Sequence, residues 1–296
     1  MNVTIERLTK IYKDGHYALD EVDLIIDGGM IGLLGANGAG KTTLIRILTG
    51  VLRPTSGRMI IGGHDLATSA GRTAIKRMLG YLPQELSLYP DLTGREFLDY
   101  IALLKGLDDK RARQTQIESL LDHVAMTEYA RRRIGTYSGG MKRRIGIAQA
   151  LLGDPRLIVV DEPTSGLDPE ERMRFRTLLA SLSDHRTVIL STHILDDVAQ
   201  TCPEVAVLSN GSLIYHGSTS ALTEAATGQT YLLHSNAPIS NDLIVVNASA
   251  TGQGTEYRVV SSTPPPGARP VQPTLEDGYV ALLKSTTHQR HKKGLN

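Results

Sequence analysis

The sequence predicts an α/β fold: a mixed-sheet core with an antiparallel β subdomain, interrupted by a helical subdomain and followed by a small α+β appendage. Three observations predict it. The runs "RLIVVDEP" and "TVILSTH" are apolar throughout, as expected of strands buried on both faces of a parallel sheet, and the helical stretch "EERMRFRTLLASLS" lies between them. A glycine-rich loop, "GANGAGKTT", follows the apolar run "MIGLLG" and opens a helical pattern. Amphipathic segments of helical period fill the middle of the chain, from about 85 to 150.

The elements follow in order. "VTIERLTKIY" alternates in part like an exposed strand, and "ALDEVDLIID" reads as its antiparallel partner. "GKTTLIRILTG" has helical spacing at Leu44, Ile47 and Leu48, with Gly50 as a stop, and "GRMIIGGHDL" reads as a hairpin. Up to about 84 the chain therefore reads as strands with one early helix. "LTGREFLDYIALLKGL" opens with Thr93 and Glu96 at capping-box spacing. "RARQTQIESLLDHVAM" and "MKRRIGIAQALLG" continue the helical block. After α/β alternation resumes over 151–217, the texture changes at about 218, which divides the chain into domains of 1–217 and 218–296. "QTYLLHS", "DLIVVNAS" and "EYRVVSS" are short strands, "TPPPGARPVQP" is an extended linker, and "TLEDGYVALLKS" is a short helix capped at Thr274. The basic tail "THQRHKKGLN" is either a solvated end or a weak attraction to anionic lipid.

Composition narrows the function. The chain has 296 residues, 41% hydrophobic and 21% charged, which suits an ordinary globular protein. A net charge of +1 gives no case for nucleic-acid binding by bulk electrostatics, so no nucleic-acid partner is expected. A single cysteine, Cys202, precludes an internal disulfide and fits a reducing compartment. The start "MNVTIERLTK" has no apolar core behind a basic head, so no secretory signal is expected. The apolar runs fall far short of the roughly 20 residues that span a bilayer, so a membrane role would come through a partner.

Two stretches have the chemistry of phosphate cradles. In "GANGAGKTT", Gly35, Gly40, Lys41 and Thr42 fit G-x-x-x-x-G-K-[ST], with Asn37, Gly38, Ala39 and Thr43 completing the loop and helix start. Glycines let backbone amides approach phosphate oxygens with no Cβ in the way. Lys41 can place a charge on the β- and γ-phosphates, and the Thr42 hydroxyl can ligate Mg²⁺ at a positive helix end. "RLIVVDEP" delivers Asp161 and Glu162 at a strand's C-terminal edge, where open α/β sheets bind ligands. Asp161 suits Mg²⁺, and Glu162 can orient and partly deprotonate a water for in-line attack on the γ-phosphate. The second stretch is "TYSGGMKRR", a hydroxyl and two glycines ahead of a helix. Two cradles exceed what one nucleotide needs.

"YSGGM" followed by "VVDEP" resembles the ATP-binding-cassette (ABC) transporter ATPases, whose signature loop reads Leu-Ser-Gly-Gly-Gln. Here Tyr137 stands for the leucine and Met141 for the glutamine. Further motifs match in order: Tyr12 at the adenine-stacking position, Gln84 in "LGYLPQE", "SGLD" ending at Asp168, and His193 in "LSTH". The resemblance spans 1 to about 217 and implies a P-loop NTPase core that binds ATP with Mg²⁺. It implies catalytic roles for Glu162, His193, Lys41 and Gln84, with Thr42, Gln84 and Asp161 at the metal. Each of these residues also has a plainer reading: Tyr12 a half-buried strand residue, Gln84 and Asp168 turn residues, His193 a buried structural histidine. The resemblance answers the surplus cradle. Two cassettes would pack head to tail, and Ser138, Gly139 and Gly140 would face the partner's γ-phosphate, with Asp168 near the opposite chain. It further implies a homodimer or paired cassette on an integral membrane permease, at the cytoplasmic face of the membrane. "TYSGGMKRR" and "PTLEDGYVALL" resemble the ATPase subunits of drug, antibiotic and polysaccharide exporters. An ABC ATPase acting on ribosomes or DNA, or an ATP sensor without turnover, are the alternatives.

Overall fold

The computed structural model describes residues 1–164, 167–183, 186–235, 243–252 and 254–292, with side chains up to residue 286. Two compact units form: 1–202 with 206–216, and 203–205 with 217–296.

The first unit opens with β1 (Val3–Ile11), β2 (Tyr17–Ile26) and β3 (Gly29–Leu34), followed by helix α1 (Lys41–Leu48). β4 (Ser56–Ile61) and β5 (His64–Asp65) come next. β1 pairs antiparallel with both β2 and β4, and β4 with β5, giving a four-stranded antiparallel sheet in the order β2-β1-β4-β5. Then comes a helix the sequence reading missed, α2 (Ser69–Met78), so the early region has two helices, not one. Only Gly71 and Ile75 of α2 are buried, so no apolar stripe betrays it. What fixes its start is Thr68, whose side chain accepts from the Gly71 amide.

β6 (Leu79–Leu82) leads into the helical block: α3 (Gly94–Leu104), α4 (Lys110–His123) and α5 (Gly139–Leu151). α3 has both halves of its capping box: the Glu96 amide donates to Thr93 Oγ1 at 3.2 Å, and the Thr93 amide to Glu96 Oε2 at 2.8 Å. β7 (Leu157–Asp161), α6 (Pro169–Leu182), β8 (Thr187–Ser191), α7 (Leu195–Thr201), β9 (Glu204–Ser209) and β10 (Ser212–Ser218) complete the α/β part. The central sheet runs β10-β9-β3-β8-β7-β6, with the β3–β8, β8–β7 and β7–β6 pairs parallel. All five residues of β7 and of β8 are buried, the pattern of strands covered on both faces. One aliphatic core joins the two sheets of this unit, with Ile5, Leu24 and Ile61 of the antiparallel sheet packed with Ile31, Leu44, Val159 and Ile189.

The second unit contains α8 (Thr219–Glu224), β11 (Thr230–Ser235), β12 (Ile244–Thr251), β13 (Gly254–Val260), β14 (Arg269–Pro270) and α9 (Leu275–Lys292). Its sheet runs β12-β13-β11-β14. Two expectations need correcting. The proline-rich stretch is more than a linker, because its β14 pairs antiparallel with Tyr231 and Leu232. The last helix is 18 residues long and carries on into the basic tail, whose side chains lie outside the described residues. Among the described residues, no helix is long and apolar enough to cross a membrane.

Candidate nucleotide site

The turn from β3 into α1 builds the first cradle. Gly40 caps α1 with φ +107, and a Cβ there would lie 2.5 Å from the Ala18 carbonyl oxygen, so only glycine fits. Gly40 offers no side-chain acceptor, so the first-turn amides of α1 keep their donors for a ligand. Lys41 is 6% exposed, and its Nζ donates to the carbonyls of Gly35 at 2.6 Å and Ala36 at 3.3 Å. Gly35 and Ala39 are buried, whereas Asn37, Gly38 and Thr42 are open to solvent.

A cleft of about 250 Å³ opens over this turn. Asn37, Gly38, Gly40, Lys41, Thr42 and Thr43 line it, and so do Tyr12, Gln84, Asp161, Glu162 and His193. Motifs from far apart in the chain thus meet in one place. Tyr12 lies one residue past the end of β1, its hydroxyl 3.4 Å from Thr43 Oγ1 and its ring 5.6 Å from Lys10 Nζ.

The electrostatics follow from burial. Desolvation pushes the Asp161 carboxyl above the usual carboxylate range and the Lys41 ammonium below the usual lysine range, and their opposite charges partly offset both shifts. The Thr42 hydroxyl, the Gln84 amide and the Asp161 carboxylate supply hard oxygen donors around one cleft, a set that fits Mg²⁺.

Glu162, the residue after β7, is held in the left-handed region at φ +46. Its amide donates to the Ser191 carbonyl at 2.8 Å. A non-glycine residue there is uncommon and strained, as functional residues often are. Its Oε2 lies 2.8 Å from His193 Nδ1. An ionised carboxylate only accepts, so Nδ1 carries the proton and Nε2 is left as the ring's other hydrogen-bonding atom.

The second cradle lies elsewhere. Ser138 caps α5, accepting from the Met141 amide at 3.2 Å, and both Ser138 and Gly139 are exposed. None of Ser138, Gly139 and Gly140 lines the cleft; Gly140 lines a separate cavity of about 280 Å³ with Arg144, Glu171 and Phe175. Tyr137 is buried and donates from its hydroxyl to the Tyr129 carbonyl at 2.8 Å, so it anchors the loop within the helical block. Asp168 is exposed and caps α6 through the Glu171 amide at 2.8 Å. Ser165 and Gly166 lie outside the described residues.

Sequence reasoning missed Arg143. It is 8% exposed, and all five of its guanidinium N–H donors point at backbone carbonyls. No pattern of residue types announces such contacts, because their acceptors are main-chain oxygens.

Comparison with known proteins is consistent with this geometry. Residues 19–165 match the family described as "ABC transporter". The chain is similar to the uncharacterized ABC transporter ATP-binding protein YxlF of Bacillus subtilis, 38% identical over 78% of this chain and 76% of that one. It is also similar to YbhF of Escherichia coli, a probable multidrug ABC transporter ATP-binding protein, 37% identical over 74% of this chain and 37% of that one. Among solved structures, a dimeric ATP-binding cassette in a post-hydrolysis state with ADP and Pi superimposes with a TM-score of 0.67. It is 27% identical and covers 73% of this chain and 98% of its own.

Proposed function

The chain belongs to the ABC transporter family as one of its ATP-hydrolysing cassettes, and on that premise we propose that two cassettes close head to tail around ATP to drive a separate membrane permease, in the direction of export. One observation carries this reading: a single unit has two phosphate cradles, and the exposed one at Ser138 lies outside the cleft that contains Lys41, Asp161 and Glu162.

Within the cleft, Tyr12 stacks on the base, while Lys41 and the amides of 38 to 43 hold the β- and γ-phosphates. Thr42, Asp161 and Gln84 would hold Mg²⁺, which when bound supplies charge neutralisation across the phosphate oxygens. Glu162 orients a water in line with the γ-phosphate and takes its proton as the bond to the bridging oxygen breaks, releasing ADP and phosphate. His193, held by its Nδ1 contact to Glu162, would reach the same phosphate by donating from Nε2, which requires the ring to carry a proton on both nitrogens. From the partner, the Ser138 hydroxyl and the amides of Gly139 and Gly140 grip the γ-phosphate. Each such charge-assisted bond contributes about 1.5–3 kcal/mol, and ADP forfeits them, so hydrolysis loosens the pair.

The helical block is the docking face for the permease. It presents Tyr89, Tyr100, Leu103 and Leu104, all exposed, on and beside α3. The export direction is supported by "TYSGGMKRR" and by the multidrug name of the Escherichia coli relative.

Glu162→Gln tests the whole reading. Turnover should fall about 10²–10⁴-fold, and ATP should hold the full-length variant as a dimer on size exclusion. A variant that stays monomeric with ATP at high concentration, even beside its permease, would overturn it.

A further inference from the structure

Arg143 sits five residues past Ser138, on the same helix. Its Nε donates to the Pro163 carbonyl at 2.9 Å. Its Nη1 donates to Pro83 at 3.2 Å and Gln84 at 2.9 Å. Its Nη2 donates to Asp161 at 3.3 Å and Glu162 at 2.8 Å. One guanidinium therefore spends every donor on the main chain of the two segments that hold Gln84 and Glu162. All five acceptors are carbonyls, while the Asp161 and Glu162 carboxylates act on the buried guanidinium through charge alone. The arrangement matters most at Glu162, whose backbone is left-handed. Its carbonyl is held by Arg143 and its amide by Ser191, which together fix the strained conformation that aims the carboxylate.

We infer that Arg143 is a positioning residue that couples the signature helix α5 to Gln84 and Glu162 of its own chain, so that contact of Ser138 with the partner's γ-phosphate is transmitted to the chain's own hydrolytic site. The inference rests on the head-to-tail reading. α5 is a 13-residue helix, stiff enough to carry a displacement at its first turn to a side chain little more than one turn further on. A planar five-donor fork can hold both segments at once, and no other side chain offers that geometry. The two ATP sites of a dimer would then each report through the helix that serves the other.

Arg143→Met should lower kcat for ATP by about 10²-fold, the scale of a roughly 1 Å misplacement of reacting groups. KM should change less than threefold, because Tyr12 and the Lys41 loop are untouched. The Hill coefficient should fall to 1 from a wild-type value above 1. Arg143→Lys keeps the charge but loses the fork, so it should recover part of kcat and none of the cooperativity. It also stands in if the Met variant fails to fold, as judged by its melting curve. Size exclusion of Glu162→Gln and of Glu162→Gln with Arg143→Met, each with ATP, separates the two ideas. A Glu162→Gln chain that stays monomeric overturns the head-to-tail reading and the coupling with it. If both dimerise, yet Arg143→Met or Arg143→Lys keeps the wild-type kcat and Hill coefficient, only the role of Arg143 is overturned.

Discussion

Gly140 shows how closely the signature turn is built. A Cβ there would fall 1.8 Å from Glu171 Oε2 and 2.4 Å from its Cδ, and Glu171 is in turn held by Arg144 Nη2 at 2.8 Å. Alanine at 140 must therefore push Glu171 aside and break that half-buried pair. Urea unfolding of Gly140→Ala should show a loss of about 1 kcal/mol, most of which should vanish on a Glu171→Ala background, since coupled neighbours are non-additive. Equal losses in both backgrounds would mean that the contact is not the cause. At this scale the sequence was legible where chemistry is written in local spacing. The Gly35-to-Thr43 loop, Asp161 and Glu162 each announce themselves within a few residues, and all but Gly35 and Ala39 line one cleft. The fork of Arg143 was not legible, because its acceptors lie 18 to 60 positions away and are carbonyls that every residue possesses.

Among the elements, α3 and α9 are defined by their first turns. The Glu96 carboxylate sits below its ordinary range, chiefly because it accepts from the Thr93 amide. A depressed folded value means that the cap's contribution is full above the unfolded glutamate pKa and is lost as pH falls through the folded one. The stability gap between wild type and Glu96→Gln should accordingly be largest near neutral pH and shrink on acidification. A gap that grows towards low pH would refute the assignment. Thr93→Ala should cost about 1 kcal/mol at neutral pH by urea denaturation. α9 depends on Asp277, which is 0% exposed and accepts from Arg258 Nε at 2.9 Å, Arg258 Nη2 at 2.6 Å and the Thr274 amide at 2.6 Å. Asp277→Ala strands a largely buried guanidinium and should destabilise the second unit by about 3 kcal/mol in calorimetry, whereas a change under 1 kcal/mol would contradict the contact network. The capping box of α3 could be read from Thr93 and Glu96 alone. α2 could not be read from periodicity, having one buried apolar side chain, and β14 owes its existence to a partner strand almost forty residues earlier.

For the whole molecule, the proposed head-to-tail pairing predicts that one unit supplies both halves of the chemistry and needs a second unit to bring them together. The cleft brings together Lys41, Glu162 and the oxygen donors of Thr42, Gln84 and Asp161, while the Ser138 turn faces solvent elsewhere on the unit. A chain with Lys41→Ala loses its own cleft but keeps its Ser138 loop. A chain with Ser138→Arg keeps its cleft but places a bulky cation where the proposed pairing puts the partner's γ-phosphate. Each alone should hydrolyse ATP at under about 1% of the wild-type rate, because every head-to-tail site in either homodimer contains a broken half. Mixed one to one, half of the dimers are hybrids if pairing is random. In each hybrid one site joins the intact Lys41 of one chain to the intact Ser138 of the other, and the second site joins the two lesions. The mixture should therefore regain about a quarter of the wild-type activity per chain, provided a lone site turns over at its usual rate. Any shortfall measures how far one site needs the other, which is the dependence that Arg143 would transmit. A mixture as inactive as its parents, with hybrid dimers demonstrated by a tag on one chain, would mean that Ser138 acts within its own subunit.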